Sequence, residues 1–317
     1  MTALTRRTVI AASPLMTLAG GARADGATVL PLWPGEAPDG GAVTVTEEVV
    51  ERPLSPGGLR DRIIKGVRNP TLTVFEPARP NGASLLMTPG GGYRWVVMDK
   101  EGYECATRFA AAGVTVYVAS YRLPGDGWAA GPAVALQDAQ RALRLVRADA
   151  SRRGLDPGRV GVMGFSAGGH VAGCLGLMWD RATYAPVDEI DLLSARPDST
   201  VLVYPVATMS PPFAHPGSRE RMFGSAPTPE QERTWSLETN VRPDAPPTFL
   251  LHAADDAAVP VENSLRLEAA LRAEKVSSEL HVFEEGGHGF GLRFARGKPV
   301  EAWPDLVLGW WRRKGFV

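Results

Sequence analysis

The feature that most constrains this chain is a Gly-x-Ser-x-Gly pentapeptide at residues 164–168, between an apolar, β-branched run and an apolar helical pattern. A strand that leads directly into a helix must turn sharply, and small flanking residues let the backbone pass. The serine at the apex, Ser166, then points its hydroxyl out of the fold. The sequence therefore predicts a nucleophilic serine. The alternative interpretation is a glycine-rich joint between strand and helix that carries a solvated serine.

Short apolar runs alternate with helical patterns along the rest of the chain. Strands are predicted at 72–75, 83–87, 114–119, 160–164, 200–204, 248–253 and 279–283. Helices are predicted at 101–112, 135–152, 167–178, 261–273 and 301–313, and in the second of these Arg141, Arg144 and Arg147 take the face opposite the apolar residues. This alternation is typical of an α/β fold with a mostly parallel central sheet and helices on both faces. Ligands of such sheets bind beyond the carboxyl ends of the strands.

The interval 205–247 interrupts this alternation. It contains Pro211, Pro212, Phe223 and Trp235 but no long periodic element. A stretch of this length between two core strands is more often a functional loop or small cap than a second domain. We therefore expect a single domain over residues 25–317, with 205–247 as a cap- or lid-like insertion over the strand ends.

A serine nucleophile needs a base, and the chain has only five histidines. His288 lies in the Gly-Gly-His-Gly-Phe sequence at 286–290, a flexible loop past the last predicted strand. Because such a loop can fold over the strand ends, His288 is the predicted base. Of the other four, His170 is expected to be a packed helical residue and His215 to lie near substrate in the 205–247 segment. His252 and His281 are expected in strands.

The acid that orients this imidazole should come from a loop between the serine and the histidine in chain order. Residues 252–260 follow a predicted strand and contain two adjacent carboxylates, Asp255 and Asp256. Only one of them can meet the imidazole, and the other can brace the turn. Spacing alone favours neither.

Oxyanion donors must be backbone N–H groups that are not already bonded. The Ala167 N–H lies at the positive start of a predicted helix. A second set is available in the Pro-Gly-Gly-Gly-Tyr sequence at 89–93, because glycines accept positive φ and place no Cβ in the way. The alternatives are an ordinary glycine turn and a phosphate cradle, but the Gly-Lys-Ser/Thr of a P-loop is absent from this sequence.

Charge and cysteine content exclude several classes of partner. With 34 Lys+Arg against 35 Asp+Glu, the sequence has no basic stripe for nucleic acid and no acidic arm. Cys105 and Cys174 are predicted on helices that cover opposite faces of the sheet, so we expect two buried free thiols and no disulfide. Neither has a metal-ligand companion at useful spacing, and no metal or organic cofactor is expected.

The segment 1–24 is predicted to be an export signal and not part of the fold. Arg6 and Arg7 precede a short apolar stretch, and Ala22-Arg23-Ala24 supplies a cleavage pattern. The adjacent arginines favour twin-arginine export over ordinary secretion, and a stray basic N-terminus is the alternative. The stretch is too short and too interrupted to span a bilayer. We therefore expect a periplasmic or secreted mature protein without a membrane span.

Several motifs resemble those of the α/β-hydrolase superfamily and, within it, bacterial exported esterases related to acetylxylan and feruloyl esterases. The likeness covers nearly all of the chain after the export signal. Its motifs lie at 32–35, 89–93, 99–102, 121–123, 137–139, 164–170, 259–264 and 286–290. As a set, these motifs are specific to the fold and to serine hydrolysis, and far less specific for a substrate.

The resemblance implies that Ser166 is the nucleophile and His288 the base. It favours Asp256 as the acid, because the acid of the family precedes the proline of Val-Pro by four residues. The implied activity is cofactor-independent hydrolysis of a small-molecule or polysaccharide ester. The alternatives are a serine peptidase of the prolyl-peptidase type, whose members usually carry a β-propeller before the hydrolase domain, and a non-catalytic binding protein of this fold.

The resemblance also implies that Gly91, Gly92 and Ala167 are the oxyanion donors. One departure is Pro89, which stands where the lipase-like branch has the histidine of His-Gly-Gly-Gly. Aromatic residues near these loops can line a platform for a sugar or an aromatic group, or can belong to the core. The candidates are Tyr93, Trp95, Phe213 and Trp235.

Overall fold

A computed structural model describes residues 27–41, 43–52 and 58–317, and the predicted export signal at 1–24 lies outside them. In chain order, the strands are β1 (Thr28–Pro31), β2 (Glu48–Glu51), β3 (Arg62–Lys65), β4 (Thr71–Phe75), β5 (Ser84–Thr88), β6 (Val96–Val97), β7 (Thr115–Ala119), β8 (Val160–Phe165), β9 (Ser199–Val203), β10 (Thr248–Ala253) and β11 (Ser278–Phe283). The α-helices are α1 (Glu104–Ala110), α2 (Val134–Arg152), α3 (Ser166–Leu177), α4 (Pro216–Phe223), α5 (Pro229–Trp235), α6 (Glu262–Ala273) and α7 (Trp303–Arg313). A π-helical turn (Asp99–Tyr103) precedes α1, and short 3₁₀ turns span Pro124–Asp126, Gly131–Ala133, Glu189–Leu192, Leu237–Thr239 and Pro299–Ala302. None of the helices in this part of the chain combines the length and the apolar character that a membrane crossing requires.

The strands of the described chain form two sheets. The central sheet has eight strands in the order β1-β4-β7-β5-β8-β9-β10-β11. Neighbours are parallel from β7 onward, and β4 and β1 are added antiparallel at one edge. A small antiparallel sheet contains β2, β3 and β6. The mostly parallel central sheet confirms the predicted α/β fold.

Helices cover both faces of the central sheet. Consecutive residues at the end of β8 point to opposite faces, because side chains alternate along a strand. A Cβ at Gly164 would lie 2.7 Å from Ala172 of α3. Phe165 instead packs against Trp303 of α7, with ring centroids 6.0 Å apart. Helices α2, α3 and α6 thus share one face, and α1 and α7 share the other.

The two cysteines lie on opposite faces of this sheet. Cys105 belongs to α1 and Cys174 to α3, and both are buried free thiols. Burial raises the pKa of each thiol well above its ordinary value, so both thiols are protonated at neutral pH. The structure thus has the two buried free thiols that the sequence predicts.

Helix α7 anchors the glycine-rich loop that follows β11. Trp303, Trp310 and Trp311 are each 1% exposed or less. The indole N–H of Trp303 donates to the Gly291 carbonyl at 2.9 Å, and that of Trp311 donates to Ser199 Oγ at 2.8 Å. Because Gly291 ends the glycine-rich loop after β11, α7 holds one end of that loop.

The arginine face of α2 is covered by another part of the chain: Arg141 is buried, and Arg144 and Arg147 are half-buried. Arg141 is 2% exposed and forms ion pairs with Asp188 and Asp191, at 2.6 and 3.1 Å. The Arg144 guanidinium donates to the Tyr184 hydroxyl. The loop between α3 and β9 therefore covers the charged side of this helix, and the charges are paired under it.

Outside the 205–247 segment, the predicted elements differ from the observed ones in two respects. Each predicted strand agrees with an observed strand to within one residue at either end, but four short strands were not predicted: β1, β2, β3 and β6. A run of only two to four residues does not establish a periodic pattern, which explains their omission. The helix predicted at 101–112 is also shorter in the structure, because its first residues form the π-helical turn and α1 ends at Ala110.

The 205–247 segment contains the short helices α4 and α5 and is attached to core helices at two points. Asn263 of α6 holds its start, since Oδ1 accepts from the backbone N–H groups of Ala207 and Thr208 at 2.9 and 3.0 Å. His170 of α3 holds its later part, since Nε2 donates to the Trp235 carbonyl at 2.6 Å. These bonds are buried, so both attachments are protected from water.

Candidate active site

Ser166 lies at the apex of the turn between β8 and α3, with φ of +53°. A positive φ is uncommon for a residue with a Cβ and marks a backbone conformation held by its surroundings. The flanking glycines are required by close backbone contacts. A Cβ at Gly164 would lie 2.1 Å from the Gly168 carbonyl oxygen, and a Cβ at Gly168 would lie 2.2 Å from the Thr88 carbonyl oxygen. The predicted sharp turn is therefore present.

The structure brings Ser166, His288 and Asp256 together. Ser166 Oγ lies 2.8 Å from His288 Nε2, and His288 Nδ1 lies 2.7 Å from Asp256 Oδ2. Because a carboxylate only accepts hydrogen bonds, Nδ1 carries the proton and donates it to Asp256. Nε2 is then unprotonated and accepts from the serine hydroxyl. In this tautomer the imidazole can take up the serine proton.

The Asp256 carboxylate is stabilised in its charged form. Burial alone would raise the pKa of Asp256, but hydrogen bonds from His252 and His288 hold it well below its usual range. His252 Nε2 lies 3.3 Å from Oδ2. The backbone N–H groups of Ala258 and Val259 donate to Oδ1 at 3.0 and 2.9 Å. Asp256 therefore stays ionised at neutral pH and can stabilise a positive charge on the imidazole.

The neighbouring carboxylate, Asp255, has a different position. Its Oδ1 accepts from the backbone N–H groups of Gly286 and Gly287 at 2.9 and 2.7 Å. These two glycines begin the loop that carries His288. The structure thus brings Asp256 to the imidazole and Asp255 to the backbone of the loop, a distinction that sequence spacing did not make.

The glycine loop after β5 faces the same cavity as Ser166. Gly91 and Gly92 have φ of +135° and +63°, and a Cβ at Gly91 would lie 2.1 Å from the Trp95 carbonyl oxygen. Ala167 is buried in the first turn of α3, where N–H groups have no intrahelical partner. In the part of the chain that the structure describes, the N–H groups of Gly91, Gly92 and Ala167 donate to no other protein group.

A buried carboxyl group that sequence analysis did not single out connects the glycine loop to the histidine loop. Glu101 is 3% exposed; its Oε2 accepts from the Gly90 N–H at 2.8 Å, and its Oε1 accepts from the Tyr204 hydroxyl at 3.1 Å. The Tyr204 hydroxyl accepts in turn from the Gly291 N–H at 3.2 Å. The Tyr204 ring also packs edge-on against His288, with centroids 5.1 Å apart. In the sequence, only the position of Glu101 within the motif at 99–102 distinguished it.

The BD-FAE family model matches residues 75–271, which is more than half of the chain. The chain belongs to the BD-FAE family. The match includes the serine turn and both aspartates of the loop after β10.

Relatives of this BD-FAE protein include enzymes named for xylan and for acetyl esters. An acetylxylan esterase of Xylanibacter ruminicola is 31% identical over 226 residues, which cover 70% of this chain and 44% of that protein. Endo-1,4-beta-xylanase B of Butyrivibrio fibrisolvens is 36% identical over 205 residues, which cover 65% of this chain and 32% of that protein. The chain therefore spans less than half the length of these two curated relatives. A solved structure, the acetyl ester-xyloside bifunctional hydrolase from Caldicellulosiruptor lactoaceticus, is 32% identical with a TM-score of 0.73, over 92% of this chain and 97% of that one.

These similarities confirm two predictions from the sequence motifs. The fold is that of the α/β-hydrolases, and the chain resembles acetylxylan esterases. The relatives named above include an acetylxylan esterase and an acetyl ester-xyloside hydrolase.

The four aromatic residues predicted as a platform lie in different places. Trp95 is on the wall of the cavity in front of the serine. Phe213 is half-buried and packs under Arg266, with 6.0 Å from the guanidinium carbon to the ring centroid. Tyr93 and Trp235 are 2% and 6% exposed and belong to the core. Of these four, only Trp95 is placed to contact a substrate in the cavity.

His170 explains the burial of two of these aromatic residues. Its Nε2 donates to the Trp235 carbonyl, so Nδ1 is unprotonated and accepts from the Tyr93 hydroxyl at 2.7 Å. Burial lowers the pKa of His170 to about 4, and the imidazole is neutral at pH 7. His170 is thus the packed helical residue that the sequence predicted, and it joins the glycine loop to the 205–247 segment.

The cavity in front of the serine has a volume of about 410 Å³. One side is formed by α4 and the residue before it, so the 205–247 segment contributes to the wall through His215, Gly217, Glu220 and Arg221. Burial lowers the pKa of His215, and the nearby His288 lowers it further. Among the residues that the structure describes, no group of three or more His, Cys, Asp or Glu side chains is placed to hold a metal ion.

Proposed function

We propose that this protein is a serine carboxylic ester hydrolase that removes small acyl groups from carbohydrate or similar esters. The proposal is based on the continuous hydrogen-bonded chain from Ser166 through His288 to Asp256, with distances of 2.8 and 2.7 Å. These three side chains lie beside backbone N–H groups that have no protein partner among the described residues. A serine hydroxyl is a poor nucleophile alone, and this arrangement supplies the base, the acid and the donors that it lacks.

In the first half of the reaction, Ser166 Oγ attacks the ester carbonyl carbon while His288 Nε2 takes the hydroxyl proton. The N–H groups of the glycine loop and of Ala167 stabilise the oxyanion, and each donor lowers the barrier by about 3 kcal/mol. The Asp256 carboxylate stabilises the imidazolium through Nδ1. His288 then gives its proton to the leaving oxygen, an alcohol departs, and the acyl group remains on the serine.

In the second half, a water molecule attacks the acyl-serine carbonyl and gives a proton to His288 Nε2. The same N–H groups stabilise the second oxyanion. When the tetrahedral intermediate collapses, the proton returns to Ser166 Oγ and the carboxylic acid is released. The enzyme is thereby restored to the tautomer and hydrogen bonding described above.

The proposed substrate class is supported by the relatives and by the cavity. Two of the relatives are named for acetylxylan and for acetyl ester-xyloside hydrolysis. The cavity of about 410 Å³ is sufficient for a small acyl group and part of an alcohol. Trp95 on its wall offers a flat apolar surface for a sugar or aromatic ring.

Hydrolysis assays on the purified protein test this proposal. We expect hydrolysis of 4-nitrophenyl acetate, with methyl ferulate and a prolyl anilide as competing substrate classes. A fluorophosphonate should label the wild type and should not label Ser166→Ala. Turnover confined to the prolyl anilide would favour the peptidase alternative, and a wild type that is not labelled would favour the binding-protein alternative.

A further inference from the structure

The cavity in front of the serine is lined by more positive than negative side chains. The cations on its wall are Arg52, Arg94, Lys100 and Arg221, and the carboxyl groups are Glu101 and Glu220. The chain as a whole has a formal net charge of −1, so this positive excess is local to the cavity. A cleft lined by one sign of charge raises the local concentration of ligands of the opposite sign.

Two of the four cations have carboxylate partners within the protein. Arg52 Nη2 lies 2.7 Å from Asp61 Oδ2. Lys100 Nζ lies 4.0 Å from Glu101 Oε1. The charges of these two side chains are therefore partly balanced without a substrate.

Arg94 and Arg221 differ from this pair. In the described part of the chain, neither guanidinium group forms a hydrogen bond or an ion pair with another side chain. Arg94 is exposed and lies 5.6 Å from the ring centroid of Trp95, on the cavity wall. Arg221 is half-buried on α4 near Asp126, but the two form no ion pair. Burial raises the pKa of Asp126, and the positive charge of Arg221 opposes that rise. Both guanidinium groups are available to a ligand.

We propose that the preferred substrates are esters whose acyl or alcohol part carries a carboxylate, and that Arg94 and Arg221 bind this carboxylate while Ser166 attacks the ester. A guanidinium group can donate to both oxygens of a carboxylate at once, which makes it the side chain best suited to this task. Trp95 packs under Arg94 and offers an apolar surface for the atoms between the carboxylate and the ester. This inference depends on the proposed esterase function and adds the charge of its substrate.

Two matched pairs of esters test the inference. The first pair places the charge on the acyl side: the mono-4-nitrophenyl ester of adipic acid and its neutral methyl ester. The second pair places it on the alcohol side: 4-acetoxybenzoate and methyl 4-acetoxybenzoate. For the wild type, we expect kcat/KM to be about tenfold higher for the charged member of at least one pair, mainly through a lower KM. The pair with the preference identifies the side of the ester that carries the carboxylate.

In the double variant Arg94→Gln/Arg221→Gln, we expect this preference to fall to about twofold or less, because glutamine keeps polarity and removes charge. Arg312→Gln is the matched control, since it removes an exposed arginine of α7 that does not line the cavity, and it should retain the preference. High salt should reduce the preference of the wild type. Fluorophosphonate labelling reports whether the double variant is folded with a reactive serine.

The results that would overturn this inference differ from those that would contradict the proposed function. A wild type that hydrolyses the neutral esters without preference in either pair would overturn the inference and leave the function standing. A preference that the labelled double variant retains would do the same. A wild type that hydrolyses none of the four esters would contradict the proposed function itself.

Discussion

The two walls of the cavity differ in whether their charged groups have partners within the protein. The inner wall lies at the carboxyl ends of the strands and is defined by Ser166, His288 and Glu101, with Asp256 behind the imidazole. The outer wall is formed by the glycine loop and α4 and is defined by Arg94, Trp95, Glu220 and Arg221. The carboxyl and imidazole groups of the inner wall are hydrogen-bonded to one another or to the backbone, whereas the charged groups of the outer wall form no ion pair within the described residues.

This difference separates two tasks. Buried, mutually bonded groups keep the reacting atoms at hydrogen-bonding distance before a substrate arrives, as electrostatic preorganisation requires. Charged groups without partners can bind a substrate at no cost in broken internal bonds. We therefore expect substitutions in the inner wall to lower kcat on every ester, and substitutions in the outer wall to change the choice among esters.

The largest effect is expected from Ser166→Ala in the inner wall. Without the nucleophile, kcat on 4-nitrophenyl acetate should fall by about 10⁴-fold or more, measured by steady-state kinetics. The control is Ser151→Ala, which alters an exposed serine at the end of α2. A Ser166→Ala enzyme that retains about one-tenth of the wild-type kcat would contradict the assignment of the nucleophile.

The adjacent aspartates provide the second comparison. Asp256→Asn should lower kcat by about 10³- to 10⁴-fold, because an amide can donate to Nδ1 and favours the wrong tautomer of His288. Asp255→Asn should lower kcat by about tenfold or less, because its amide oxygen can still accept from the loop N–H groups. Measuring both variants on one ester is the test. Equal losses in the two variants would mean that the distinction between the two carboxylates is wrong.

His170, which joins the glycine loop to the 205–247 segment, should make the attachment of the outer wall pH-dependent. Its pKa is lowered by burial from 6.5 to about 4, so the unfolded state binds more protons between these values. Its contribution to the free energy of unfolding is therefore complete above about pH 6.5 and is lost as the pH falls toward 4, a change of about 3 kcal/mol.

Denaturant unfolding at a series of pH values measures this contribution. His170→Gln should flatten the pH dependence between pH 4 and 6.5, the range set by the shift of His170. The control is His281→Gln, because His281 is partly exposed on β11 and paired with Glu279. Parallel curves for the wild type and His170→Gln would exclude this role of His170.

Glu101→Gln tests whether the connection between the two loops affects catalysis. Glutamine has a single acceptor oxygen, so it cannot accept from both the Gly90 N–H and the Tyr204 hydroxyl. We expect kcat to fall by about tenfold with a small change in KM, for neutral and charged esters alike. The control is Glu274→Gln, an exposed residue after α6. A lower Tm with unchanged kcat would mean that Glu101 is structural only.

The smallest effect is expected from Glu220→Gln in the outer wall. Removing this carboxylate reduces its repulsion of an anionic substrate, so the preference for the charged member of an ester pair should rise by about twofold. The ratio of kcat/KM values within each pair is the measurement, and added salt should diminish the gain. An unchanged ratio at low salt would indicate that substrates do not pass close to Glu220.

Features whose determinants lie close together in the chain can be predicted from the sequence. The turn around Ser166 was predicted because its glycines, strand and helix are consecutive, and the core strands because each is an apolar run. Glu101 was missed because its partners Gly90 and Tyr204 are 11 and 103 positions away. Spacing could not choose between Asp255 and Asp256 either, since neighbouring residues in a turn can point in different directions.

Burial was the other quantity that local patterns predicted poorly. Arg141 belongs to a charged face of α2, which is typical of a solvated helix, but the loop carrying Asp188 and Asp191 covers it. Tyr93 and Trp235 lie next to loops in the sequence, yet both are held in the core by a single imidazole. In each case the covering group comes from a distant part of the chain, and no periodic pattern reports it.

The division of labour between Asp255 and Asp256 has a consequence for how the site tolerates change. The turn that follows β10 binds the backbone of the histidine loop through Asp255 and the imidazole ring through Asp256. A displacement of this turn carries backbone and ring together, so the separation of Nδ1 and Oδ2 varies less than the position of either group. A small movement of this turn therefore leaves the geometry for proton transfer to His288 nearly unchanged.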